Sequence, residues 1–361
     1  MKYIDEYQNP ELIAGLLKKI TGINSKNIRL MEVCGTHTTS IFRNGIRTLI
    51  PKNITLVSGP GCPVCVTSQQ EINAFIHAAR IKNVIITVFG DLLKVPGSDS
   101  SLKKEMGKGK DIRIVYSPFD ALSIAEKNPE KEVVFPGIGF ETTAPCIAAA
   151  ILDGKKRGIK NFSVLSVHKL MPPALDFLTN TDRIKIDGFI CPGHVSTITG
   201  VKAYIPLAEK SGMPCVVAGF EPADILVAVY MLAKQIDKKD AKVENGYPRG
   251  ATFEGNKKAR EIMYKIFEPA DAIWRGIGSI PMSGLKIRCE FDFFNGKKRF
   301  DLSVPDSKEP EECACGDILM GVKTPLQCPL YKKRCTPENP IGPCMVSTEG
   351  TCAAYYNYYH A

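Results

Sequence analysis

Gly59-Pro60-Gly61-Cys62-Pro63-Val64-Cys65 stands between the apolar run Ile54-Thr55-Leu56-Val57 and the polar stretch Ser68-Gln69-Gln70-Glu71. The apolar run reads as a buried strand and the polar stretch as a helix start, so the segment between them is a strand-to-helix junction. Two glycines and two prolines hold this turn tight and place both thiols at its mouth. The positive end of a following helix favours a thiolate there. A Cys-x-x-Cys closing such a turn is a redox pair or half a metal site. Two inert thiols are the weaker reading, because inert cysteines seldom sit in so rigid a turn.

Outward from this junction the same alternation recurs. Strands are expected at Ile28–Val33, Ile54–Val57, Val84–Phe89, Ile112–Tyr116, Glu132–Phe135, Phe162–Val167, Ile186–Ile190 and Cys215–Ala218. Helices are expected from Pro10, over Ser40–Leu49, Ser68–Ala79, Pro118–Lys127, Thr143–Lys156, Ile198–Lys210, Ala223–Gln235 and Lys257–Phe267. Strands alternating with helices of this length imply right-handed βαβ units and mostly parallel sheets. The segment from Pro96 to Lys110 shows no periodicity and reads as a mobile loop. The fold class is therefore α/β: two mostly parallel-sheet domains facing a central cleft, at 1–130 and 131–270, and a small Cys-rich domain at 271–361.

Composition bounds the chemistry. A length of 361 residues is more than one core usually serves. The net charge of +9 is spread rather than blocked, which argues against a nucleic-acid protein. Met1-Lys-Tyr-Ile-Asp-Glu6 lacks a signal peptide's apolar core and no apolar run is long enough for a membrane span, so a cytoplasmic protein is expected. Thirteen cysteines in that compartment point to metal or redox chemistry before structural disulfides.

Cys34, Cys62, Cys65, Gly90, Gly139, Glu141, His168, Cys191, His194, Gly219 and Glu221 all fall just past an expected strand's carboxyl end, where open α/β sheets bind ligands. After Ala270 a few antiparallel strands are expected, at Ile273–Pro281 and Lys286–Phe294. Six thiols then crowd into the tail: Cys313, Cys315, Cys328, Cys335, Cys344 and Cys352, with no histidine among them. So little apolar sequence needs a staple, and an all-sulfur set favours an iron–sulfur cluster over a four-thiolate zinc site, with disulfides alone last. Cys146 and Cys289 read as core residues, and His77 as a structural residue on an apolar helix stripe.

Cys34-Gly-Thr-His-Thr38, the Gly59–Cys65 turn, Gly139-Phe-Glu-Thr-Thr-Ala-Pro145, Cys191-Pro-Gly-His-Val-Ser196, Gly219-Phe-Glu-Pro222 and the Cys-rich tail together resemble the HypD family of [NiFe]-hydrogenase maturation proteins. The likeness runs from about residue 25 to residue 352. It implies a scaffold that works with the small chaperone HypC and receives cyanide from a further partner, HypE. The scaffold holds the iron on which the Fe(CN)2CO group is built. By position it gives Cys34, with Cys62 nearby, to that iron and makes Cys62 and Cys65 the redox pair. It implies a [4Fe-4S] cluster on Cys313, Cys328, Cys335 and Cys352, leaving Cys315 and Cys344 as a disulfide pair.

The residues themselves suit these roles. Soft thiolates match low-spin iron, and moving cyanide off sulfur needs electrons that a dithiol delivers in pairs. His194 is a proton donor or a helix cap. His37 is expected to hydrogen-bond near Cys34, His168 to open a cleft loop, and Glu141 and Glu221 to fix loop amides. A stand-alone thiol–disulfide reductase is the competing reading, and it leaves Cys34 without a task. A zinc-stabilised nucleotide-binding protein is the third, but Pro136-Gly-Ile-Gly139 lacks the phosphate-loop spacing.

Overall fold

The computed structural model describes residues 4–23, 27–302, 307 and 309–359. Among the described residues there are eleven strands: β1 (Ile28–Glu32), β2 (Ile54–Ser58), β3 (Val84–Val88), β4 (Ile112–Ile114), β5 (Glu132–Gly137), β6 (Phe162–Ser166), β7 (Gly188–Pro192), β8 (Cys215–Ala218), β9 (Val243–Asn245), β10 (Phe267–Trp274) and β11 (Gly278–Ile287). One sheet has the order β2-β1-β7-β8-β9 and another the order β4-β3-β5-β6. Both are parallel throughout. β10 and β11 form a separate antiparallel hairpin, irregular between Ala270 and Ala272.

Side-chain alternation explains the layering. In β1, Ile28 and Leu30 join the core that packs on the helices Pro10–Thr21 and Pro222–Lys238. Met31, one residue out of phase, joins the opposite core, with Met171, Leu175 and Tyr204. The second sheet repeats this: Val133 and Phe135 face the helix Ala144–Lys156, while Val134 faces the helix Gln69–Arg80. A sheet buried on both faces needs apolar residues at both phases, so its strands read as continuous apolar runs.

The sheets do not divide at residue 130. Strands from residues 84–166 make the second sheet, and strands from residues 28–58 and 188–245 make the first. The chain leaves the first sheet after β2 and returns to it at β7. Periodicity marks strands but not their partners, which is why the expected boundary fell inside the second sheet. Each sheet consequently has a switch point, between β1 and β7 in the first and between β3 and β5 in the second. Crevices for ligands open at the carboxyl ends of such strand pairs.

Other expectations are corrected locally. The segment Pro96–Lys110 holds a short helix, Leu102–Gly107, and is anchored by buried Glu105, whose Oε1 accepts from Arg80 (2.9 Å), Ser100 (2.6 Å) and Lys108 (3.0 Å). Residues Cys289–Phe294 are a 3-10 turn, not strand; Phe291 and Phe294 are buried there and Cys289 is exposed. Cys146 is exposed as well, because Ala144, Ile147 and Ala148 carry the inward face of its helix. His77 points outward from a helix whose neighbouring Ile76 and Ala78 are buried.

Candidate functional site

The switch point of the first sheet carries Cys34 after β1 and Gly193-His194 after β7. Cys34 caps the helix Gly35–Arg43 and is buried. The turn after β2 lies directly on it. Gly35 N donates to Gly61 O at 3.0 Å, and a Cβ on Gly61 would sit 2.3 Å from Cys34 N. Only glycine permits so close a backbone approach. The residue before Cys62 therefore lies against the backbone of Cys34.

The charge state of Cys34 differs from expectation. Burial and the carboxylate of Glu349 push its thiol up to about 11, and the amides of Thr36 and His37 at the helix start only partly oppose them. Desolvation outweighs the helix end, and the group rests as a neutral thiol. Glu349 comes from the far tail: its Oε1 accepts from Thr36 Oγ1 at 2.6 Å, and a Cβ on Gly35 would meet its Cβ at 2.4 Å. Burial lowers His194, and the same Glu349 carboxylate opposes that shift. Cys34, Glu349 and His194 thus share one local field.

The aromatic face of this site is Phe220. The His194 ring stacks on it at 3.9 Å and the His37 ring lies 4.9 Å from it. His37 does not serve Cys34 through its ring. Its Nε2–H donates to Gly219 O (2.9 Å) and Ala218 O (3.2 Å), and burial holds it neutral, down to about 4. Glu221 caps the helix Pro222–Lys238 and accepts from Gln8 Nε2 at 2.6 Å. Glu141 holds not a loop amide but the first amide of the helix Met171–Thr179: its Oε1 accepts from Met171 N at 2.9 Å, while Oε2 has no partner among the described residues. His168 is buried, its Nδ1 within 2.9 Å of Ser166 Oγ. It helps line a cavity of about 530 Å3, with Lys169, Glu71 and the hairpin, that no cysteine touches.

Below the first turn runs a path of sulfur. Cys62 caps the single turn Pro63–Val66, its Sγ accepting from Cys65 N at 3.3 Å and lying 2.6 Å from Cys65 Sγ. Burial, then the thiols of Cys344 and Cys62, push Cys65 up. Cys344 Sγ is in turn 3.3 Å from Cys315 Sγ; both are free thiols here. Cys313, Cys315, Cys328, Cys335, Cys344 and Cys352 line one pocket together with Tyr331 and Met345. Among the described residues no three His, Cys, Asp or Glu side chains converge tightly enough to hold a single metal ion.

Two comparisons bear on this arrangement. A family described as HypD, hydrogenase formation hypA family, matches residues 11–359. The chain belongs to the HypD family. It is 45% identical to hydrogenase maturation factor HypD2 of Bradyrhizobium diazoefficiens, over 99% of this chain and 97% of that one. It is 45% identical to a hydrogenase expression/formation protein of Methanocaldococcus jannaschii, over 96% and 97%. HypD of Cupriavidus necator is 43% identical over 99% and 97%. Membership of the HypD family supports a role in hydrogenase maturation. Among the described residues no helix is long and apolar enough to cross a membrane.

Within this HypD-family chain, sequence reasoning missed Glu349 and Phe220. Glu349 is the sole acid between Cys344 and Cys352, which could have drawn notice. Nothing local ties it to Cys34, which lies in a different part of the chain.

Proposed function

We propose that this chain is a maturation scaffold on which iron, as cargo, is held by Cys34 and dressed as Fe(CN)2CO for a [NiFe] hydrogenase. A small chaperone, HypC, shares the iron, and HypE brings cyanide as a thiocyanate. The observation that carries the reading is the meeting of the Cys34 and Cys62 turns at a topological switch point, with sulfur contacts leading from Cys65 to the tail pocket. A neutral Cys34 loses its proton to incoming iron, so uptake releases a proton. Releasing cyanide from a thiocyanate sulfur consumes two electrons; the Cys62 and Cys65 dithiol supplies them and becomes a disulfide.

Cys344 and Cys315, whose sulfurs continue the contacts from Cys65, would restore it. The Cys344 thiolate attacks the Cys65 sulfur and Cys62 leaves as a thiol. Cys315 then attacks Cys344 and frees Cys65, so two electrons and two protons pass from one pair to the other. The pocket suits an iron–sulfur cluster because six thiols and no histidine or carboxylate line it. Cys313, Cys328, Cys335 and Cys352 would hold a [4Fe-4S] cluster, which supplies electrons singly when bound. A stand-alone reductase would use the same sulfur path, but it leaves Cys34, and the Glu349 carboxylate beside it, without a task.

The test is Cys34→Ser in the complex with the chaperone. Iron co-purifying with the complex, beyond that of the cluster, should be lost, while tail iron and sulfide and the reactivity of the dithiol stay at wild-type values. Iron retained at wild-type stoichiometry would refute the scaffold role of Cys34.

A further inference from the structure

Most buried charges in this fold are answered by an opposite charge: Glu32 by Arg47, Glu105 by Arg80, Asp224 by Arg249 and Lys169 by Glu71. Glu141 lacks a cation and is pushed up to about 7 by burial, which lets it rest as the neutral acid. Arg275 is different. It is 1% exposed, at the tip of the β10–β11 hairpin, and an arginine cannot discard its charge in this way.

Its side-chain partners are all neutral. Nε donates to Thr67 O at 3.0 Å and Nη2 to Gln69 Oε1 at 2.6 Å, and its own amide donates to Val66 O at 2.9 Å. Among the described residues no carboxylate pairs with it; Glu309 is engaged by the next amide, Gly276 N, at 2.9 Å. A buried unpaired ion is penalised by several kcal/mol, so a counter-charge is expected nearby. The neighbouring surface is the cysteine pocket. A Cβ on Gly276 would sit 2.2 Å from Gly316 Cα, so the hairpin tip touches the backbone next to Cys315.

We propose that Arg275 is the buried counter-cation of the tail's cysteine-bound cluster, a positioning residue that favours its reduced state and joins it to the dithiol turn. The inference rests on that pocket holding an iron–sulfur cluster. Such a cluster with four thiolates is dianionic when oxidised and trianionic when reduced, so a fixed cation nearby stabilises reduction more than oxidation. The same guanidinium holds Thr67 and Gln69, just past Cys65, while the next residue, Gly276, packs on Gly316 of the tail, so the hairpin tip touches both ends of the sulfur path.

The experiment compares anaerobically purified wild type, Arg275→Met and Arg275→Lys by redox titration and by thermal unfolding with and without the cluster. Arg275→Met should make the reduction equilibrium about tenfold less favourable, roughly 59 mV for one electron. Arg275→Lys, which keeps the charge but not the forked hydrogen bonds, should hold the wild-type potential. After chelation the balance inverts: Arg275→Met should melt no lower than wild type without the cluster, yet lower than wild type with it. Equal losses in both forms would mean a hydrogen-bonding role only and would overturn the inference, as would an unchanged potential in Arg275→Met. If Arg275→Met takes up no cluster, a lowered potential in Arg275→Lys overturns it. Wild type purified without iron and sulfide would remove the cluster reading as well, which separates that failure from this one.

Discussion

Cys34 reached by its neighbours is a different acid from Cys34 read in sequence. The helix start promised a thiolate, but burial and Glu349 leave a thiol at about 11. Replacing Glu349 by Gln removes a like charge, so the alkylation of Cys34 by iodoacetamide should shift to lower pH by about one unit, the scale of a single neighbouring charge. An unshifted rate–pH profile would make Glu349 a mere hydrogen-bond partner of Thr36. Cys34, Cys62 and His194 drew notice because few residue types do their chemistry and each stands just past a strand end. Glu349 was not, since a glutamate's role depends on what the fold brings to it. The exposure of Cys146 and Cys289 escaped for a related reason: a thiol's hydrophobicity says nothing about which helix face it occupies.

Among the elements, the two turns after β1 and β2 decide whether the site exists. Gly61→Ala would put a Cβ 2.3 Å from Cys34 N, against backbone that cannot swing away. The turns should separate, lowering stability by about 1–3 kcal/mol, the range of overpacking, and exposing Cys34 to alkylation. A variant with wild-type melting and wild-type Cys34 reactivity would show that the turns do not depend on this contact. Strands β1 to β8 were legible because a strand buried on both faces has an unbroken apolar run; β9, and the hairpin turn at 275–277 inside the expected strand Ile273–Pro281, were not. The one-turn helix at Pro63–Val66 and the anchoring of Pro96–Lys110 were not. Each depends on a few specific hydrogen bonds, such as those to Glu105, and not on periodicity.

Across the whole molecule, the chain's return to the first sheet at β7 is what sets Cys191-Pro-Gly-His194 beside Cys34. Two α/β sheets were legible in sequence; their interleaving was not, because parallel pairing between residues far apart leaves no local trace. The fold also buries an acid that no cation answers among the described residues. Glu141 rises from 4.5 to about 7 because of burial, so the folded state holds its proton more tightly. That contribution is complete below pH 4.5 and is lost as pH rises through 7, amounting to about 3 kcal/mol. Glu141→Gln should therefore gain on wild type in urea unfolding as pH is raised from 4.5 to 7.5; a constant difference across that window would place the Glu141 proton elsewhere. The proposed scaffold itself is tested most directly by the infrared spectrum of this chain purified anaerobically with its small chaperone. Bands of iron-bound cyanide and CO, lost in Cys34→Ser, are the expected result. A wild-type complex that retains its tail cluster and shows no such bands would contradict it.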